Sequence, residues 1–359
     1  MKIGILTYHR SNNYGALLQA IALREVLARD GHDVYFIDYW PSYHRHMYDL
    51  FSFASMMSRN GVRGKLGYLK YCIMNYRHRK ERKDNFNSFI EKFILPYISS
   101  TDETYDVIVH GSDQIWRKQP ELGTYNPVYF GKHSINAKLK VSYAASMGIL
   151  PTIQSDKSIL KELISNLNGI SVRESDLMSL VKELGFDNTY HVLDPTLLLS
   201  SGFWETKFNL RKSNERYALY YMLQDSFNLS TLRDYSKEKG LKLKVICKPT
   251  SHESEEMIVT ADPQSFLQLV YGADIVFTSS FHGLAFSLIF HKPFWASYVS
   301  KAGRATSLLS LIGLERRLLS PNSIILEDTL SIDYDSVDVK LKNAQNKSLS
   351  ILFSMCYQS

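Results

Sequence analysis

The residues best suited to chemistry sit in Thr278-Ser279-Ser280-Phe281-His282-Gly283. The apolar run Ile275, Val276 and Phe277 leads in and a helical pattern follows, so the hexapeptide marks a strand-to-helix junction. Ser279 or Ser280 can cap that helix, and free backbone N–H groups near Gly283 make an anion site reinforced by the helix dipole. His282 at its mouth adds a positive charge or moves a proton. A capped helix with a surface histidine is the plainer explanation. Gly111-Ser112-Asp113-Gln114-Ile115-Trp116 holds the equivalent strand end in the first half of the chain. A glycine for close approach, polar side chains and a carboxylate fit a sugar-hydroxyl site, with Trp116 stacking on a sugar face; a capped loop over a core tryptophan is the alternative. Ser11-Asn12-Asn13-Tyr14-Gly15-Ala16 opens the first helix, where capping by Asn12 or Asn13 is explanation enough. Arg173-Glu174-Ser175 ends another strand, and an arginine there clamps a carboxylate or phosphate, or pairs with a neighbour. Four polar constellations at strand carboxyl ends point together to an anionic small molecule and a polyhydroxylated partner in one cleft.

The frame that must position them reads as alternating strands and helices. Residues 2–8 form an apolar strand, and Tyr14–Arg29 places Leu17, Leu18, Ile21, Ala22, Val26 and Leu27 on one helical face before Gly31 ends it. Strands follow at 33–39, 106–110, 140–145, 169–173 and 190–193, with a helix at 174–184. Residues 200–215, polar around Trp204, read as a linker. A second run has strands at 217–223, 243–247, 274–278 and 294–298, between helices at 229–239, 263–271 and 283–290. Residues 336–357 read as a closing helix. The economical architecture is α/β: two doubly wound halves with ligands in the cleft beyond the carboxyl ends of their strands. Between Pro41 and Pro96 the rhythm breaks into a helical insertion, with one stripe of Leu66, Leu69, Ile73 and Tyr76 and another of Phe86, Phe89, Ile90 and Phe93.

Composition bounds the rest. A chain of 359 residues with 45% hydrophobic and 22% charged residues is globular and suits about two domains of roughly 150 residues. Cys72, Cys247 and Cys356 have no CxxC spacing, which excludes a disulfide framework, a zinc ribbon and an iron–sulfur scaffold. GxGxxG, Walker A and HExxH motifs are absent, and His44 with His46 is the only close histidine pair. No apolar run approaches the ~20 residues of a membrane span, and the first residues read as a strand rather than a signal peptide, so the cytoplasm is expected. The net charge of +6 is uneven: between Arg59 and Lys83 nine Lys/Arg face only Glu81, a local +8 that leaves −2 for the rest.

In order along the chain, Asn13-Tyr14-Gly15-Ala16-Leu17-Leu18-Gln19-Ala20, Gly111-Ser112-Asp113-Gln114-Ile115-Trp116, Ser142-Tyr143-Ala144-Ala145-Ser146, Ile170-Ser171-Val172-Arg173-Glu174, Leu193-Asp194-Pro195-Thr196-Leu197-Leu198 and Ser280-Phe281-His282-Gly283 resemble the polysaccharide pyruvyl transferase family. The resemblance runs from Lys2 to about Leu314. It implies a glycosyltransferase-B-like pair of Rossmann-like domains: an acceptor side over 1–205 with its insertion at about 42–97, a donor side over 214–335, and a C-terminal helix, 336–359, packing back on the first domain. It also implies an enzyme of bacterial-type polysaccharide biosynthesis. Such an enzyme moves pyruvate from phosphoenolpyruvate, a donor substrate and not a cofactor, onto two hydroxyls of a sugar as a cyclic ketal.

Under that resemblance Arg173 and His282 are the matched donor positions, with His282 also the proton donor. Asp113 is expected as the base, and Asn13, Gln114 and Trp116 as acceptor contacts. The same motifs add Tyr14, Gly15, Ser112, Ser279, Ser280 and Gly283 to the substrate-binding set, with Glu174 and Lys292 as further candidates. The chemistry demands no metal, and the sugar acceptor stays open among free, nucleotide-linked, lipid-linked and polymeric forms. Two other readings fit the same frame: a nucleotide-sugar-dependent glycosyltransferase, and a non-catalytic glycan- or anion-binding protein. For the basic insertion, the plain expectation packs its stripe on the domain's own core. The sharper one is a docking surface for an acidic glycan, a diphosphate-linked acceptor or the anionic inner face of a membrane. Nucleic acid is not expected, since no binding motif accompanies the charge.

Overall fold

The computed structural model describes residues 1–250, 254–300, 302–323 and 331–357; Gln358 and Ser359, at the end of the expected closing helix, lie outside them. Its frame is two all-parallel sheets. The first holds β1 (Lys2–Leu6), β2 (Asp33–Ile37), β3 (Ile98–Ser99), β4 (Thr104–His110), β5 (Asn136–Ala145), β6 (Gly169–Val172) and β7 (Thr189–His191), in the spatial order β3-β2-β1-β4-β5-β6-β7. The second holds β8 (Tyr217–Tyr221), β9 (Lys242–Ile246), β10 (Met257–Ile258), β11 (Ile275–Thr278), β12 (Phe294–Ser297) and β13 (Leu318–Leu319), in the order β10-β9-β8-β11-β12-β13. Strands such as β8, β11 and β12 are apolar without alternation because helices cover both faces of a parallel sheet. The strand order reverses between β1 and β4 and again between β8 and β11, and a crevice opens beyond the carboxyl ends at such reversals. The fold is α/β, two Rossmann-like domains facing a cleft in the glycosyltransferase-B-like manner.

Helix α1 (Tyr14–Arg29) leaves β1 with Asn13 as its cap, the Asn13 Oδ1 accepting from the Ala16 N–H. The two long helices of the insertion are α2 (Gly61–Met74) and α3 (Tyr76–Phe93), preceded by three short helical turns between Ser42 and Met57. Helix α3 buries Phe86, Phe89 and Ile90, as its stripe predicts. Helix α2 departs from the core-packing expectation: Leu66 is 59% and Ile73 68% exposed, and only Cys72 of this helix is buried. The rings of α3 already fill the space against the core, Phe86 against Tyr14 and Phe89 against Phe208, so α2 forms an outer layer.

The polar stretch 200–215 is no open linker. It contains α4 (Ser201–Phe208), capped by Ser200 Oγ accepting from the Phe203 N–H. Trp204 is fully buried there, stacked on Phe208 and edge-on to Phe286. In the second domain α5 (Phe281–Ile289) follows β11 and α6 (Gly303–Ile312) follows β12. The last helix, α7 (Tyr334–Cys356), returns to the first sheet: Met355 lies where a Cβ on Gly169 would meet it, and Ser348 Oγ accepts from the Leu193 N–H. One apolar core therefore runs from Ile3 and Leu17 through Phe266 and Phe286 to Leu352, shared by both domains.

Candidate active site

The site grows from five strand ends. Beyond β4 the chain turns at Gly111, whose φ is +135° and where a Cβ would sit 2.1 Å from the Tyr143 carbonyl oxygen, so only glycine fits. The turn presents Asp113 to the cleft. It points Ser112 inward, with its Oγ donating to the Ala144 carbonyl and its N–H to Gln19 Oε1. Past β6 stands Arg173 and past β7 Asp194, both buried. Arg173 Nη1 donates to Asp194 Oδ2, and its Nη2 lies 3.4 Å from Asp113 Oδ1. Asp194 Oδ1 accepts from the Thr196 N–H at 3.0 Å and from its hydroxyl at 2.7 Å.

The second domain supplies the opposite wall. His282, in the first turn of α5, brings its Nε2 to 3.5 Å from Asp194 Oδ2 without forming a hydrogen bond. A Cβ on Gly15 would lie 1.9 Å from His282 Nδ1, so α1 needs glycine there to let the imidazole rest on its first turn. Arg304, from the first turn of α6, and Arg173 both lie over the Phe281 ring, 5.6 and 5.0 Å from its centroid. Neither serine caps α5 through its side chain: Ser280 holds the N-cap position without such a bond, and Ser279 Oγ accepts from the Leu223 and Gln224 N–H groups at 2.9 and 2.8 Å. Gly283 serves packing, since a Cβ there would meet Thr278 Oγ1 at 2.1 Å.

Between these walls lies a cavity of ≈ 200 Å³. Of the expected residues it brings together Asn13, Asp113, Gln114, Ser279, Ser280 and His282, and it adds Tyr8, His44, Arg117, Tyr298 and Arg304. Among its buried polar atoms Gln114 Nε2, His282 Nε2, Tyr298 Oη and Arg304 Nε have no hydrogen-bond partner. Folded proteins leave few such atoms unpaired, and a cluster of them in one cavity marks a place for a polar ligand.

Burial works against the Asp113 carboxylate, but Arg173, His282 and Arg304 outweigh it and hold its pKa below the ordinary value. For Arg173 the opposing burial is overcome by Asp194, Asp113 and Glu174, so its pKa rises. Burial and the charge of Arg173 lower that of Arg304. Glu174 is raised by burial; its Oε1 accepts from Ser146 Oγ. Burial takes His44 down to about 4, which keeps it neutral where it stacks on Tyr8. His46 is exposed and bonds Asp49 instead. Among the described residues no group of three or more His, Cys, Asp or Glu is placed to hold a metal ion.

Several expectations change. Arg173 does not face the cavity: two carboxylates occupy it beneath the floor, and Arg304 is the arginine of the second domain that lines the wall. Glu174 likewise lies behind the lining. Trp116 is 0% exposed, stacked on Phe130 at 4.9 Å, with its Nε1 donating to the Tyr129 carbonyl, so it is a core residue and not a sugar platform. Lys292 sits past the far end of α5, 5.5 Å over the Tyr271 ring, in a different hollow. Tyr14 is an inter-domain residue that accepts from Arg82 Nη1 at 2.7 Å and donates to the Ala261 carbonyl at 3.0 Å. Arg304 and Asp194 escaped assignment although the strand-end rule that found His282 reaches them both.

Two doubly wound domains with a polar cavity between the carboxyl edges of their sheets define a two-domain protein of the Rossmann-like α/β class. The chain belongs to the polysaccharide pyruvyl transferase family, whose model matches residues 13–300, and it is accordingly a transferase. No curated protein matches the sequence. Solved structures similar to it include UDP-GlcNAc 2-epimerase from Neisseria meningitidis bound to UDP-GlcNAc, at 10% identity over 100% of both chains with a TM-score of 0.48. The UDP-N-acetylglucosamine 2-epimerase of Rickettsia bellii, at 12% identity over 99% of this chain and 96% of its own, has a TM-score of 0.45. The glycosyltransferase SnogD from Streptomyces nogalater, at 12% identity over 99% and 95%, has a TM-score of 0.39.

Proposed function

We propose that the protein moves pyruvate from phosphoenolpyruvate onto two hydroxyls of one sugar, forming a cyclic ketal and releasing phosphate. The observation that carries this reading is the inter-domain cavity, where His282 and Arg304 stand with the Asp113 carboxylate around a space of ≈ 200 Å³, the scale of a small dianionic donor. A proton passes from His282 to the methylene carbon of the donor, which makes C2 electrophilic. One sugar hydroxyl adds to C2 and gives its proton to Asp113. The C2–O bond to phosphate breaks, and the second hydroxyl closes the ring as its proton returns to the neutral His282, while the proton on Asp113 leaves with the phosphate. Arg304 steadies the donor's negative charge through these steps, and Arg173 holds Asp113 in place from below.

The family match supports the transferase class, and the cavity supports the donor. The same reading puts the enzyme in the cytoplasm at the inner membrane face. There, exposed Leu66 and Ile73 with exposed Arg63 and Lys70 on α2 make a basic amphipathic surface that complements anionic lipid. No helix among the described residues is long and apolar enough to cross a membrane. The deciding experiment measures phosphate release from phosphoenolpyruvate across a panel of sugar acceptors, beside a panel of nucleotide sugars as donors. Turnover of a nucleotide-sugar donor with no release from phosphoenolpyruvate would replace pyruvyl transfer with glycosyl transfer.

A further inference from the structure

Beside the catalytic cavity lies a larger chamber of ≈ 590 Å³, and the two share Asn13, Met47, Tyr48, Arg117 and Leu223. The chamber's lining carries five cationic side chains, Arg59, Arg79, Arg82, Arg117 and Lys248, against one carboxylate, Asp49. That carboxylate is already engaged, its Oδ2 with His46 at 2.9 Å and its Oδ1 with Lys83 at 3.6 Å. Among the described residues none of the five cations forms an ion pair. Arg79 donates instead to Cys72 Sγ and the Asp49 carbonyl, and Arg82 to Tyr14 Oη and the Val259 carbonyl. Unneutralised like charges gathered in one partly desolvated hollow repel each other, and an anion with several oxygens relieves that repulsion. The cations come from separate segments: the turn before α2, helix α3, the loop after β4 and, across the cleft, the loop after β9.

We propose that this chamber is a phosphate-binding site that holds the phosphate or diphosphate group of the sugar acceptor while the donor occupies the smaller cavity. The inference rests on the pyruvyl-transfer reading. Planar guanidinium forks match phosphate oxygens two at a time, and three of the four arginines also stack on an aromatic ring that fixes them, Arg59 on Tyr68, Arg79 on Tyr71 and Arg82 on Tyr14. Arg117 stands on the shared wall, so a sugar whose anomeric oxygen carries the phosphate reaches Asp113 and His282 with its remaining hydroxyls. A nucleoside diphosphate and a polyprenyl diphosphate offer the same group.

The test is calorimetric titration of the full chain with inorganic pyrophosphate and, separately, with phosphoenolpyruvate. The wild type is compared with an Arg59→Gln, Lys248→Gln double variant, whose two sites are exposed at the rim; thermal melting confirms that it folds. Pyrophosphate should bind saturably, weaken as salt rises, and bind the double variant about 10- to 100-fold more weakly. Two turnover arms then separate the sources, one with a hexose on a nucleoside diphosphate and one with a hexose on polyprenyl diphosphate in detergent micelles. The true carrier supports phosphate release from phosphoenolpyruvate with a KM that rises in the double variant. Absence of pyrophosphate binding, or equal binding by both proteins, overturns the site. Pyrophosphate binding without any binding of phosphoenolpyruvate keeps the anion site and sinks the pyruvyl-transfer reading.

Discussion

Asp194 ties the two walls of the site together, and most of what can go wrong there passes through it. It is fully buried, takes a hydrogen bond from Arg173 and attracts His282 from the other domain. In Asp194→Asn the buried Arg173 loses its closer ion pair and keeps the longer one to Asp113, and breaking one side of a buried pair costs about 3–5 kcal/mol. Denaturant unfolding at neutral pH should show that loss. Burial opposes the Asp194 charge, but His282 and Arg173 outweigh it and drive its folded-state pKa well below the ordinary carboxylate range. A depressed pKa contributes stability that is complete above the unfolded value of about 3.9 and disappears as pH falls through the folded one. Glu174, raised by burial, acts in the opposite sense and favours the folded state as it takes up a proton. The acid-side decline of wild-type stability should therefore be shallower in Asp194→Asn; equal slopes would mean that the pair is not the source. Gly15→Ala tests the same site from α1. The alanine Cβ collides with the buried imidazole, so turnover should fall about 100-fold and overpacking should cost about 1–3 kcal/mol of stability. Full activity in that variant would remove His282 from the chemistry. Residue types at strand ends made Asp113 and His282 legible in the sequence. Which arginine faces the cavity was not, because Arg173 is captured by carboxylates from two other strands that spacing cannot place. Trp116 likewise has its partner in Phe130, beyond any local pattern.

At the scale of elements the insertion is the part least constrained by its own sequence. The spacing of Phe86, Phe89 and Ile90 shows an amphipathic helix and α3 buries that face, yet Leu66, Leu69 and Ile73 follow the same helical period on α2 and stay exposed. Periodicity reports that a face is apolar; what covers it is decided by volume, and α3 had filled the volume. The stretch 200–215 misleads for a related reason, since one helix with three buried aromatic residues can be polar everywhere else. The insertion also straps the cleft: Tyr71 donates to the Pro249 carbonyl at 3.1 Å and Asn85 to the Thr260 carbonyl at 2.8 Å. With its apolar residues outward and basic residues among them, α2 should bind anionic vesicles. Each basic residue near such a surface contributes ~1 kcal/mol, screened by salt. Co-sedimentation should show binding to anionic but not neutral vesicles at low salt, and its loss at high salt. Leu66→Ser with Ile73→Ser should weaken it while changing stability by no more than about 0.5 kcal/mol, as expected at exposed positions. Equal binding to both lipids, or none, would leave α2 as a solvated layer.

For the whole molecule, the alternation of apolar strands and helices made two doubly wound halves legible, but it does not reveal that they share a core. That sharing comes from long-range packing: Tyr14 of α1 stacks on Phe266 of the second domain at 4.8 Å, Trp204 of α4 meets Phe286, and α7 crosses back to bury Leu352 and Met355. Two domains joined by a wet cleft unfold separately, whereas domains fused through one apolar core unfold together. Calorimetry should therefore show one cooperative transition, not two. The inter-domain cavity has walls from both domains, so a ligand that fills it stabilises the joint state and not either half. At a hundred times its Kd, such a ligand adds about 2.7 kcal/mol by mass action. Phosphoenolpyruvate should raise the single melting temperature in proportion to the logarithm of its concentration, and Arg304→Gln, which removes a cation of the second domain's wall, should abolish most of the shift. Two resolved transitions, with phosphoenolpyruvate moving only one, would show that the shared core does not couple the domains and that the donor is held by one of them alone.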